Sequence, residues 1–200
     1  MAARRGPDAR LRSVPDDSHP ALQRVRDAAL RKGVRVDIQV FPDSTHTAAD
    51  AAAAVGAELG QIVKSLVFVA PTETRLEAIV ALVSGSNRVD IGLLSAVVSL
   101  SSLRRATAQE ATEATGFTIG GIPPFAHKRP LRVVMDPDLG RFPVVWAAAG
   151  TPNAVFAVPP GTLRSLANAI VAPIAETAER SADRHPGTQR PRADGAQTRA

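Results

Sequence analysis

Lys64 stands inside the most strand-like segment of the chain, Gln61 to Ala70 (QIVKSLVFVA). Side chains two residues apart share a face of a strand. Lys64 therefore shares one face with Ile62, Leu66 and Phe68, while Val63, Ser65, Val67 and Val69 take the other. Both faces are mainly apolar, the pattern of a central strand covered on both sides. A lysine there must snorkel to water, pair with a structural carboxylate, or meet an incoming anion, because an unpaired buried charge is expensive. In the last case it is a fixed positive charge at the mouth of a pocket, suited to a phosphate or a developing oxyanion.

Two segments rich in small residues could work with it. Gly120-Gly121-Ile122-Pro123-Pro124 is either a tight turn or a stiffened loop that aims backbone amides at a carbonyl oxygen. Ala148-Ala149-Gly150-Thr151-Pro152 is either an ordinary turn or a small-walled pocket edge carrying the Thr151 hydroxyl. His46 and Thr47 precede an alanine-rich helix, where Thr47 suits a cap and both suit a substrate contact. Phe41, Ile119, Ile122, Phe125 and the Ala147–Ala149 segment are candidate pocket walls or ordinary core.

Several other chemistries lack their residues. No histidine has a partner at metal-ligand spacing on a predicted helix. The chain has no G-x-S-x-G elbow, no phosphate-binding G-x-x-x-x-G-K-[ST], and no G-x-G-x-x-G after a strand. It has no cysteine, so a thiol nucleophile and disulfides are excluded. Aromatic residues are 4% of the chain and tyrosine is absent, which argues against a base-stacking platform. The expectation is a site that works without metal, thiol or cofactor.

The elements that would position these residues can be read from periodicity and caps. Residues 20–32 predict a helix, with Pro20 in its first turn and Gly33 beyond its end. Residues 34–40 alternate as a strand. Thr47 with Asp50, and Thr107 with Glu110, have the spacing of capping boxes. Residues 61–70 and 76–83 flank a turn-like PTETR and predict a hairpin. Residues 90–98 predict a short helix, residues 118–130 a loop, and residues 131–136, 143–149 and 153–158 three more strands. A helix follows over 159–170. Hairpins mixed with strand–helix alternation point to an α/β (α+β) domain whose mixed, barrel-like, curved sheet is flanked by helices.

One such domain is expected, over residues 18–176. The net charge of +5 gathers towards the two ends of the chain: residues 1–12 carry +3, residues 177–200 carry +2, and residues 13–176 are neutral. Residues 1–17 and 177–200 therefore read as disordered basic tails, there for solubility or for a salt-sensitive grip on a phosphate backbone. The N-terminus has no apolar core of a signal peptide, and no apolar run has the ~20 residues a membrane span needs. A cytoplasmic location is the expectation.

The order of the motifs is more specific than any one of them. HTAADAAAAVGAELGQIVKSLVF, RVD (88–90), ATAQEATEATGFTIGGIPPFAH, VVMDPDL (133–139) and VWAAAGTPNAVFAVPPGTL together resemble the YbaK/EbsC family of aminoacyl-tRNA editing domains. The resemblance spans about residues 20–170. It implies hydrolysis of the ester that joins a wrong amino acid to tRNA, with tRNA(Pro) carrying alanine, cysteine or another small residue as the leading substrate. It assigns the hallmark role to Lys64, places Gly120 and Gly121 at the substrate carbonyl, and puts Gly150 and Thr151 in the same pocket. Ile122, Pro123 and Ala149 then join Phe41, His46 and Thr47 as expected substrate contacts. The implied partners are the acceptor end of mischarged tRNA and an aminoacyl-tRNA synthetase. Two departures stand out: Ala126-His127 replaces the usual G-H, and Ile91-Gly92-Leu93 lacks a lysine usual after RVD. Two other readings remain at this point. One is a non-catalytic aminoacyl- or nucleotide-binding domain of the same fold; the other is a nucleic-acid binder driven by its tails.

Overall fold

The computed structural model describes residues 18–42 and 47–176, so the two expected tails and His46 lie outside the described residues. Helix α1 (Pro20–Leu30) opens on Pro20, whose missing N–H would have no helical partner there. Gly33, at φ +74°, turns the chain away. The strand expected over 34–40 shrinks to β1 (Ile38–Val40), because only those three residues find a neighbour to pair with. Thr47 and Asp50 then cap helix α2 (Ala48–Val55) reciprocally, at 3.1 Å and 2.9 Å. Such a cap contributes about 1 kcal/mol.

Strands β2 (Ile62–Pro71) and β3 (Leu76–Ser84) form the expected hairpin, paired from Val63↔Ser84 to Pro71↔Leu76. Helix α3 (Ile91–Val98) is capped by the Asp90 carboxylate, which accepts from the Gly92 and Leu93 N–H groups. A two-residue strand, β4 (Arg104–Arg105), has no counterpart in the sequence reading. Helix α4 (Ala108–Thr115) carries the second capping box, Thr107 with Glu110. Residues 118–130 form no regular element. Strands β5 (Arg132–Met135), β6 (Val145–Ala148) and β7 (Ala154–Val158) follow, then helix α5 (Pro160–Ala167) and the short β8 (Ile170–Val171).

The strands form one mixed sheet in the order β1-β7-β6-β2-β3-β5-β8, with β4 also on β2. Pairing is parallel for β2/β6, β3/β5 and β5/β8, and antiparallel elsewhere. The fold is thus the expected mixed α/β class, with an open sheet whose ends are β1 and β8. Central β2 is covered on both faces. Val63, Val67 and Val69 join α1, α4 and α5 in the main core. Phe68 and Ala70 pack with Leu94 and Val98 of α3 on the other side. Ala51, Ala52 and Ile62 make a small third cluster under α2. Among the described residues no helix is long and apolar enough to cross a membrane.

Candidate active site

The interruption in the sheet beside β2 is where a cavity opens. It has a volume of about 230 Å³ and lies between α2, the middle of β2, β4, the 119–122 loop and the β6–β7 hairpin. Its interior is apolar, with Val67, Ala106, Ala111, Ile122 and Val155 among the lining residues. Lys64 and Arg105 bring positive charge to it.

Lys64 is half-buried, and its ammonium donates to the Asn87 carbonyl. The Asn87 side chain is held in turn, donating from Nδ2 to Asp138 Oδ2 at 2.8 Å. Burial pushes the Lys64 pKa down from its ordinary value, and the charges of Arg88 and then Arg105 push it further the same way. No ion pair to Lys64, Arg88 or Arg105 is present among the described residues. The Arg105 guanidinium lies 5.7 Å from the centre of the Phe68 ring, which fixes where its charge sits. Lys64 and Arg105 thus face one cavity without a carboxylate partner among the described residues, an arrangement that an anion would relieve.

The glycine loop meets the cavity through one residue. Gly120, at φ +88°, lines it. Gly121 does not: its N–H donates to the Thr118 carbonyl at 3.0 Å, so that amide is spent on the turn itself. A Cβ on Gly121 would lie 2.7 Å from Thr151 Cα, so this glycine admits the backbone of the 150–152 turn and not a ligand. Gly150, at φ +111°, serves the same purpose against Ala21 of α1. The two small-residue segments thus lock together, and Gly120 and Pro152 form their shared face on the cavity. His127 is half-buried, and its Nε2 hydrogen-bonds the Pro123 carbonyl at 2.8 Å. Burial pushes the His127 pKa down; the hydrogen bond partly opposes this and the charge of Arg24 adds to it.

Half-buried Lys64, Gly120 of the glycine loop, and Ala148 and Pro152 of the small-residue segment border one cavity, and residues 42–166 match the aminoacyl-tRNA editing domain. The chain belongs to that family. Comparison with curated proteins found no match. Among solved structures, it is similar to a proposed trans-editing enzyme for prolyl tRNA synthetase, at 47% identity and TM-score 0.73, over 80% of this chain and 99% of the other. It is also similar to a scaffold used for epitope backbone grafting, at 43% identity and TM-score 0.72, over 79% and 99% of the two chains. A third relative, the hypothetical protein APE2540, has 27% identity and TM-score 0.70 over 76% and 99%.

In this editing domain, Lys64, Gly120, Thr47 and Ile122 come together around the cavity, along with the candidate wall Ile119. Phe41, Gly121, Pro123, Ala149, Gly150 and Thr151 stand behind that lining. Phe41 is tied to Asn153 through its N–H and its carbonyl, at 2.8 Å and 2.7 Å. Ala149 is fully buried, and Phe125 packs edge-on against Phe156 at 5.7 Å in the core. Ala148, from the expected small-residue segment, also lines the cavity, as do Trp146, Arg105 and Ser65, which the sequence reading does not single out. Strand alternation in PVVWAAA could have found Trp146, since Val145 and Ala147 take the core face. Nothing in the local pattern around Arg105 signals a two-residue strand.

Proposed function

We propose that this protein is a trans-acting deacylase that hydrolyses mischarged aminoacyl-tRNA, with tRNA(Pro) carrying a small wrong amino acid as its substrate. The observation that carries this reading is the pairing of an apolar cavity of about 230 Å³ with a cationic side formed by Lys64 and Arg105. The cavity is smaller than the ~300–1,000 Å³ of sites for drug-sized ligands, so it suits an acyl group and not a whole nucleotide. The acylated end enters with its amino acid inside and its phosphate towards the cations.

An aminoacyl ester is already activated, and positioning with electrostatics supplies most of what hydrolysis needs. Lys64 leaves the Asn87 carbonyl for the terminal phosphate or ribose. The Gly120 N–H, for which no partner is present among the described residues, is available to a developing oxyanion. Water attacks, with proton transfer through a hydroxyl of the substrate's own ribose. Selectivity is steric: one methylene discriminates by only ~1–3 kcal/mol, so walls such as Ile122, Trp146 and Val155 must exclude the larger cognate residue.

The test is a panel of tRNAs charged with correct and incorrect amino acids, following release of each amino acid by the purified chain. Selective release of a small residue from tRNA(Pro) is expected. Binding of aminoacyl-tRNA without release would overturn the enzymatic reading in favour of a ligand-binding domain.

A further inference from the structure

Strand β2 has one uninterrupted edge and one broken edge. Strand β3 pairs with it from Val63 to Pro71. On the opposite edge β6 reaches only Ile62 and Val63, and β4 reaches only Phe68 and Val69. Lys64 to Val67 lie between them, with no strand alongside among the described residues, and all four line the cavity.

The direction of the peptide groups there follows from the alternation of an antiparallel ladder. Ala106 N–H, on the β4 side, donates to the Val67 carbonyl at 3.0 Å. Val67 therefore turns its peptide groups away from β3, and Ser65, two residues earlier, turns its own the same way. The parallel ladder with β6 ends at Val63↔Ala147, one step before the register that would give the Ser65 N–H to the Ala148 carbonyl. The Ser65 N–H and C=O thus face the cavity with no strand to take them. The Ser65 hydroxyl oxygen is also buried without a partner. Unpaired groups of this kind away from bulk water are costly, and a ligand that pairs them gains what the sheet forgoes.

An aminoacyl group carries the complementary pair, an amine and a carbonyl spaced as in one residue of a strand. Its α-ammonium needs acceptor oxygens, and the open edge of β2 offers the Ser65 main-chain carbonyl and hydroxyl. We propose that the substrate's amino acid docks as a one-residue strand on the open edge of β2, giving its α-amine to the Ser65 carbonyl and taking the Ser65 N–H on its ester carbonyl. This rests on the deacylase reading and restricts it: the substrate must have a free α-amine, so peptidyl-tRNA and N-blocked aminoacyl-tRNA are excluded.

The experiment uses the ¹⁵N-labelled full chain and two non-hydrolysable probes, 3′-alanylamido-3′-deoxyadenosine and its N-acetyl derivative. The free-amine probe should shift the Ser65 amide resonance on saturation and bind about tenfold or more tightly than the acetylated one, as expected for losing a hydrogen bond to a charged group. A Ser65 amide that does not move, equal affinity for both probes, or no binding of either overturns the proposal. Deacylation of alanyl-tRNA and N-acetylalanyl-tRNA by the same preparation separates it from its parent. Release from both at equal rates sinks the docking geometry alone. A shifted Ser65 amide with no release from any charged tRNA sinks the hydrolase alone.

Discussion

Replacing Lys64 by Met should lower activity without lowering stability, and that opposition of signs is what distinguishes a functional charge from a structural one. Met keeps an unbranched stem of similar reach, so the packing of the aliphatic part is largely retained. What disappears is an ammonium held against one neutral acceptor, the Asn87 carbonyl, and pushed by Arg88 and Arg105. Its lowered pKa means that the folded protein holds the proton less tightly than the unfolded chain does. That penalty is fully present below the folded pKa and fades as pH rises towards the ordinary value of 10.5. At pH 7 the unfolding free energy of the variant, measured in urea, should therefore equal that of the wild type or exceed it by up to about 1 kcal/mol. The difference should close as pH rises. The substrate contact moves the other way. Losing a hydrogen bond to a charged group costs ~1.5–3 kcal/mol, which is about 10- to 150-fold in kcat/KM for deacylation. A variant that deacylates within twofold of wild type, or that loses stability in step with activity, would refute the reasoning.

Three further outcomes follow from local geometry. Gly121→Ala should cost about 1–3 kcal/mol in urea unfolding, because its Cβ would meet the Thr151 backbone at 2.7–2.9 Å; Gly140→Ala, with nothing within 4 Å, is the neutral control. Ala126 sits at φ +65°, a conformation that costs a non-glycine residue roughly 1–2 kcal/mol, so Ala126→Gly should raise stability by about 0.5–1 kcal/mol after the entropy cost of glycine, and calorimetry should show a higher Tm. The Glu110 carboxyl is held down to about 2, first by the Arg104 guanidinium hydrogen bond and then by the Thr107 N–H. Because its folded pKa lies below its unfolded one, its stabilisation is present above 4.5 and is lost as pH falls towards 2; a carboxyl NMR titration should show that midpoint, and Arg104→Ala should move it back up.

Ala126 also explains one departure from the family pattern. A left-handed backbone is needed there, and glycine is the residue that adopts it without strain. The alanine is tolerated because its neighbours hold the loop: His127 pins the Pro123 carbonyl and the Lys128 N–H donates to Thr115.

Much of the fold was legible along the chain. The Thr47–Asp50 and Thr107–Glu110 boxes and the β2–β3 hairpin are set by residues a few positions apart, and short-range patterns encode short-range contacts. The alternation around Lys64 likewise showed a cation within a strand buried on both faces. The glycines were harder, because a sequence shows that a glycine permits close approach but not what approaches. At Gly121 and Gly150 the neighbour is the protein's own backbone.

Sequence alone determined that Lys64 is a charge in an apolar strand, and the order of motifs pointed to the editing family. Only the tertiary structure decided that its ammonium rests on Asn87, that Arg105 joins it, and that β2 lies open between β6 and β4. The physical reason is range. Where a two-residue strand such as β4 lands is settled by the packing of the whole sheet, and no propensity within Arg104–Arg105 records it.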